Sequence, residues 1–283
     1  MPAWHPHPDV LLLVAVLAGG YWLAVTRLGS ARAPLGEPAV TRLQGCAFAL
    51  GVASILVASY WPIHDLAEGP LYSVHMIQHL LLSLVAPPLL LLGTPGWLFR
   101  ALVGRGTLFR IVRTLSRPVP ALLLFNGVLA LTHWTAIVDL AVRSELAHFL
   151  IHVAVFGSAA LMWMPVLSPV LEIRRLSEPG VMLYLFLQSI VPTVPASFLT
   201  FASTPMYPAY AVDGPFGISA LTDLRVAGLS MKLLGGLILW AAIAVVFFRW
   251  AGREERSGLD MLRWQDVEHE LSHMDLTKRE FGP

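Results

Sequence analysis

Seven runs of apolar residues, at about 10–26, 40–60, 72–93, 119–137, 146–167, 181–201 and 224–248, leave this chain little choice of fold. Roughly 20 such residues cross a hydrocarbon core of about 30 Å as an α-helix. In lipid only helices and closed barrels satisfy every backbone polar group. Charged residues are 13% of the 283, about half the share of a soluble domain. The expectation is an all-α polytopic membrane protein: a seven-helix transmembrane domain over residues 1–248, then a tail, 249–283, with a short amphipathic helix. In that tail Trp264, Val267, Leu271 and Met274 form an apolar stripe suited to a membrane surface. Pro87, Pro88, Pro192 and Pro195 fall inside runs, which predicts kinks whose freed carbonyls find neighbours. The first run follows a segment without Lys or Arg, so it reads as a retained span rather than a cleaved signal.

Basic residues orient the bundle. Of 19, 16 fall at the ends of runs on one side, among them Arg100, Arg105, Arg110, Arg113 and Arg117 after run three. Positive charge stays inside, so the N-terminus is expected outside and the C-terminus in the cytoplasm. The lone Cys46 excludes an internal disulfide and a Cys-x-x-Cys site. No aromatic-rich basic surface suggests a nucleic-acid partner; the expected surroundings are the lipid bilayer.

Histidines supply the chemistry. Ten in 283 positions predict roughly 0.35 His-x-x-x-His pairs by chance, and the chain has three. His269/His273 lies in the charged tail and reads as a solvated face. His75/His79 and His148/His152 lie in the outer halves of spans three and five, where lipid makes an unpartnered imidazole costly. A spacing of four stacks both rings on one helix face. Two such pairs at equal depth point to a shared site for copper, zinc or haem iron. His133 near the outer end of span four and His64 after span two are possible additions; His5 and His7 fall in the external N-terminus. Glu145 and Gln78 are positioned to orient imidazoles from behind. On span seven Met231, with Met76 or Met206, offers a thioether to Cu(I), and Asp223, Arg225 and Lys232 are polar groups near it. Lys232, two turns in, is expected to avoid lipid unless it snorkels. The 202–222 segment has the length and proline content of an ordered lid.

Catalytic signatures are missing: no His-Glu-x-x-His, no Gly-x-Ser-x-Gly, no phosphate-binding loop and no dinucleotide fingerprint. The chain is therefore expected not to be an enzyme.

The run from His75 through Gln78 and His79 to Pro87, Pro88 and Pro95 resembles the signature of the CtaG family of cytochrome c oxidase assembly factors, the polytopic bacterial membrane type. Thr132-His133-Trp134-Thr135, His148 to Val153 running on to Trp163-Met164-Pro165, and Asp223 to Met231 fit as well. Lys232 and Leu224 depart from the pattern, where relatives carry tryptophan and glutamine. The resemblance implies a multi-pass protein of the bacterial cytoplasmic membrane that matures a haem-copper oxidase. Its partners would be oxidase subunits or other copper chaperones, and its cargo copper handled on the outer face. Two alternatives stand beside it. A membrane cytochrome would use one histidine per helix on haem. A copper transporter would need a polar path inward, where spans three and five are nearly apolar.

Overall fold

The computed structural model describes residues 6–34, 36–69, 71–214 and 217–280. His5 and the side chains of Leu271, His273 and Met274 lie outside the described residues. Among those described there is no strand. The helices are α1 (Pro8–Arg32), α2 (Arg42–Ser59), α3 (Ile63–Glu68), α4 (Tyr72–Leu80), α5 (Ala86–Gly93), α6 (Gly96–Val103), α7 (Thr107–Leu115), α8 (Pro118–Thr132), α9 (Thr135–Arg143), α10 (Glu145–Leu167), α11 (Glu178–Ile190), α12 (Thr193–Thr200) and α13 (Ala220–Glu280). Six stretches are long and apolar enough to cross a membrane, and α8 makes a seventh when taken with α7, from which it is bent by 84°. The all-α membrane architecture is as expected. The helix of the last span continues unbroken through Glu280.

Local chemistry sets the ends. Thr41 and Gln44 form a reciprocal capping box at the start of α2, Gln44 N–H donating to Thr41 Oγ1 at 3.2 Å and Thr41 N–H to Gln44 Oε1 at 2.9 Å. Ser144 caps α10 by accepting from Ala147 N–H at 3.3 Å. Span three is α4, a π-helical turn (Leu81–Val85) and α5 in series. Pro87 has no N–H to return to the carbonyl of Ser83, four residues back; that carbonyl accepts the Trp163 indole N–H instead, at 3.1 Å from α10. A proline-freed group thus ties span three to span five.

Span four stops earlier than its apolar run. At Leu129 the carbonyl accepts from Thr132 Oγ1 at 2.9 Å and from His133 Nδ1 at 2.7 Å, while His133 N–H turns to Ala130 O. Side chains thus take the place of the next helical N–H, Trp134 turns extended, and α9 starts as a separate helix.

Span three is the hub of the bundle. It packs against α13 through α4, and against α2 and α10 through α5. Backbones meet closely where glycine allows: a Cβ on Gly93 would fall 2.4 Å from Phe48 N, and one on Gly228 2.6 Å from Ala196 O. On α10, Ser158 and Ala159 are the small residues buried in a contact, whereas Gly157 faces open space. The other end of the bundle carries the basic loops, where Arg100 grips Glu172 and Arg253 grips Glu178.

Candidate metal centre

Spans three and five both start at the same end of the bundle, so their histidines fall at one depth. His75 and His79 stack one turn apart on α4 with ring centroids 4.4 Å apart; His148 and His152 do the same on α10 at 4.3 Å. Across the helices the centroids lie 5.6 Å (His75–His148), 5.8 Å (His75–His152) and 5.2 Å (His79–His152) apart. One ring nitrogen from each of His75, His148 and His152 falls within 4.8 Å of the others. The Nε2 atoms of His148 and His152 are 3.1 Å apart. Two imidazoles on one tetrahedral ion, with bonds of about 2.0–2.1 Å, have nitrogens roughly 3.3 Å apart.

The nitrogens are also poorly partnered. His75 Nδ1 and both ring nitrogens of His79 are buried without a hydrogen bond. Buried polar groups nearly always have one, and leaving one unpaired costs about 1–3 kcal/mol. Unmatched imidazole nitrogens such as those of His75 and His79 are of the donor type that metal cations take. The four rings line a small cavity of about 10 Å³ together with Thr132, Val138, Ile151 and Tyr210. That is room for about one water-sized sphere, enough for an ion and far too little for a porphyrin.

Several supports come from other elements. Asp223 on α13 is buried and accepts from Ser73 N–H at 3.3 Å and from Ser73 Oγ, at the first turn of α4. A carboxylate there caps the helix that carries His75 and His79 and matches its dipole. Asp223 therefore orients the helix and not an imidazole. Tyr210, from the 202–222 segment, lines the cavity, stands 6.4 Å from the His75 ring and donates its hydroxyl to Ala67 O at 3.2 Å. Tyr207 in the same segment donates to His133 O at 3.0 Å, and burial pushes its phenol above the ordinary range, keeping it a neutral donor. Tyr210 thus brings this segment to the wall of the cavity and Tyr207 ties it to the end of α8.

Of the remaining candidates His64 stands at the edge of the cluster, its ring 6.4 Å from that of His148, and the others have partners elsewhere or face outward. His133 Nδ1 donates to Leu129 O, which aims its Nε2 lone pair at Met231 Sδ, 3.2 Å away. Met231 and Met76 share an aromatic-lined core with Tyr72, Tyr207 and Tyr210. Gln78 is fully buried, but its amide nitrogen meets His64 Nδ1 at 3.3 Å rather than either histidine of its own helix. Its position beside His79 in sequence turns it to another side of the helix. Glu145 is exposed in the first turn of α10, where its charge suits the helix start. Lys232 is exposed, and Arg225 is engaged by Ala202 O. Sequence reasoning gave no role to His7, Asp65, Ser73 or Tyr210. His7, Asp65 and Tyr210 lie outside the apolar runs and Ser73 is at the very start of the third, so only the shared polar character of the outer segments marks them.

A family model described as cytochrome c oxidase caa3 assembly factor (Caa3_CtaG) matches residues 19–253. The match takes in both intramembrane histidine pairs, His133 and the Asp223–Met231 segment. No curated protein and no solved structure matches the chain.

Proposed function

The chain belongs to the cytochrome c oxidase caa3 assembly factor family, and from that membership we propose that it binds a copper ion among His75, His79, His148 and His152 and passes it to an oxidase subunit. The observation that carries this reading is the convergence of three ring nitrogens within 4.8 Å beside a fourth ring whose nitrogens have no partner. Imidazole donors suit Cu(II), and the small size of the cavity favours an ion over haem. Zinc would accept the same donors, so metal identity is read from the loaded protein's spectrum.

In this reading the protein acts by binding, not catalysis. The histidine end faces outward from the bacterial cytoplasmic membrane in this reading, which the gathering of basic residues at the other end supports. Copper is cargo, and the donors hold it without thiolates, from imidazoles near the surface that can be exchanged one by one. Release to an oxidase subunit, or uptake from another copper chaperone, needs such exchange.

The test is the His75→Ala/His79→Ala variant. It is expected at normal abundance in the membrane, with purified protein lacking the copper that wild type retains and cellular oxidase deficient in copper. Full copper content with normal oxidase activity in that variant would overturn the reading.

A further inference from the structure

Outside the buried cluster a second group of imidazoles leads toward it. His7, at the cap of α1, and His64, on α3, are 4.6 Å apart by ring centroid, edge to face. His64 stands 6.4 Å from His148, and His148 touches His152 and His75 in turn. His7 Nε2 meets Asp65 Oδ1 at 3.2 Å, both side chains only partly buried.

We infer that His7, Asp65 and His64 form a loading relay that captures a copper ion at the mouth and passes it by ligand exchange to His148 and the buried cluster. The inference rests on the copper reading above. It adds a pick-up site distinct from the storage site and assigns a role to His7, which precedes the region the family model covers.

Geometry supports successive hand-over. A ring centroid lies roughly 3.2 Å from a metal bonded at about 2.0 Å, so two rings up to about 6 Å apart can hold one ion between them. The steps of 4.6, 4.3 and 5.6 Å fall inside that reach; the 6.4 Å step from His64 to His148 lies slightly beyond it, so hand-over there takes a small turn of either ring. At each step one nitrogen–copper bond forms as another breaks, and no electron moves. The mouth pair is built as metal-binding histidines are. With His7 Nε2–H donating to the Asp65 carboxylate, the tautomer is fixed and Nδ1 carries the lone pair. At His64 the partner is the amide of Gln78, whose oxygen and nitrogen exchange by a half-turn. With the carbonyl side toward Nδ1–H, His64 Nε2 becomes the donor atom, and Gln78 acts as a positioning residue.

A relay affects how fast the site fills and not how tightly it holds. Full-length protein in lipid nanodiscs is mixed with glycine-buffered Cu(II), and loading is followed by stopped-flow quenching of tryptophan fluorescence, with final stoichiometry and Cu(II) paramagnetic resonance recorded at equilibrium. His64→Gln and His7→Gln are expected each to slow loading about tenfold, the low end of what losing a metal-orienting group costs. Their final stoichiometry, affinity and resonance spectrum should match wild type. Asp65→Asn is expected to slow loading less than His7→Gln, since the side chain stays and only the carboxylate goes. Wild-type loading rates in both glutamine variants would overturn the relay while leaving the buried site standing. A changed spectrum or lower affinity in His64→Gln would also overturn it, making His64 a resident ligand. If wild-type protein takes up no copper, the failure lies with the buried site, and His75→Ala/His79→Ala will show no difference from wild type.

Discussion

Two clusters of buried polar side chains sit in this bundle, and they treat their hydrogen bonds in opposite ways. Deep among α8, α10 and α11, Asn126 Nδ2 donates to Gln188 Oε1 at 2.7 Å and to Leu122 O at 2.8 Å. Gln188 Nε2 donates to Tyr184 Oη at 3.2 Å, and Tyr184 donates to Met162 O at 2.9 Å. Only Asn126 Oδ1 lacks a partner there. At the histidine end three ring nitrogens on two residues lack one. A network whose donors and acceptors are matched within the protein is fastening. A set of ring nitrogens left unmatched within the protein is what the proposed ion would satisfy. The difference gives the two clusters opposite expected responses to substitution.

The comparison breaks or holds on a pair of variants. His148→Ala/His152→Ala is expected to weaken copper binding by about 100-fold or more, beyond the usual cost of losing a group that merely orients a ligand. Its unfolding free energy in detergent should change by no more than about 1 kcal/mol, since a bond such as the one between the two rings is worth roughly 0.6 kcal/mol in a membrane bundle. Gln188→Leu should do the reverse. It strands a donor of Asn126 and is expected to cost about 1–2 kcal/mol, near the upper end for hydrogen bonds in membrane bundles. Its copper affinity should stay within about twofold of wild type, by titration of the same preparations. A Gln188→Leu protein that lost copper as well would show the two clusters to be one coupled unit.

The sequence made the histidine cluster visible because two independent constraints coincide there. Spacing of four fixes a helix face, and membrane depth makes an idle imidazole costly; both are local properties of a chain. The resemblance in the same segments led to the family that the chain belongs to. What lay beyond reach depends on tertiary neighbours. The halt of span four at His133 follows from side chains competing for the Leu129 carbonyl, which apolar periodicity does not register. Gln78 adjoins His79 in sequence, yet its partner is His64 from the preceding helix. Met231 meets His133 and shares a core with Met76 and Tyr72 rather than joining the four-histidine cluster, a choice that tertiary packing makes. Asp223 looked like a group near a metal and proves to hold the start of α4 from another helix. His7 belongs to no apolar run, and only the fold brings it beside His64.

The opposite end of the bundle supplies the mildest test of the same idea, with polar groups that are both partnered and exposed. Arg100 Nε and Nη2 donate to the two oxygens of Glu172, each at 2.9 Å, with the side chains 37% and 46% exposed. The guanidinium's hydrogen bonds hold the Glu172 carboxyl below its usual range, and the same contact raises Arg100. A depressed folded-state value means the stabilisation is present above the unfolded carboxyl value of 4.5 and is lost as pH falls through the lower folded one. Water and salt screen so exposed a pair, leaving at most about 0.5 kcal/mol. Glu172→Gln is therefore expected to lower unfolding free energy by no more than that at pH 7 and low salt. The gap should close as pH drops below 4.5 and also at high salt, with copper binding untouched. A loss as large as that of Gln188→Leu would mean that charge pairing at the basic end, rather than the satisfaction of buried donors, sets the stability of this bundle.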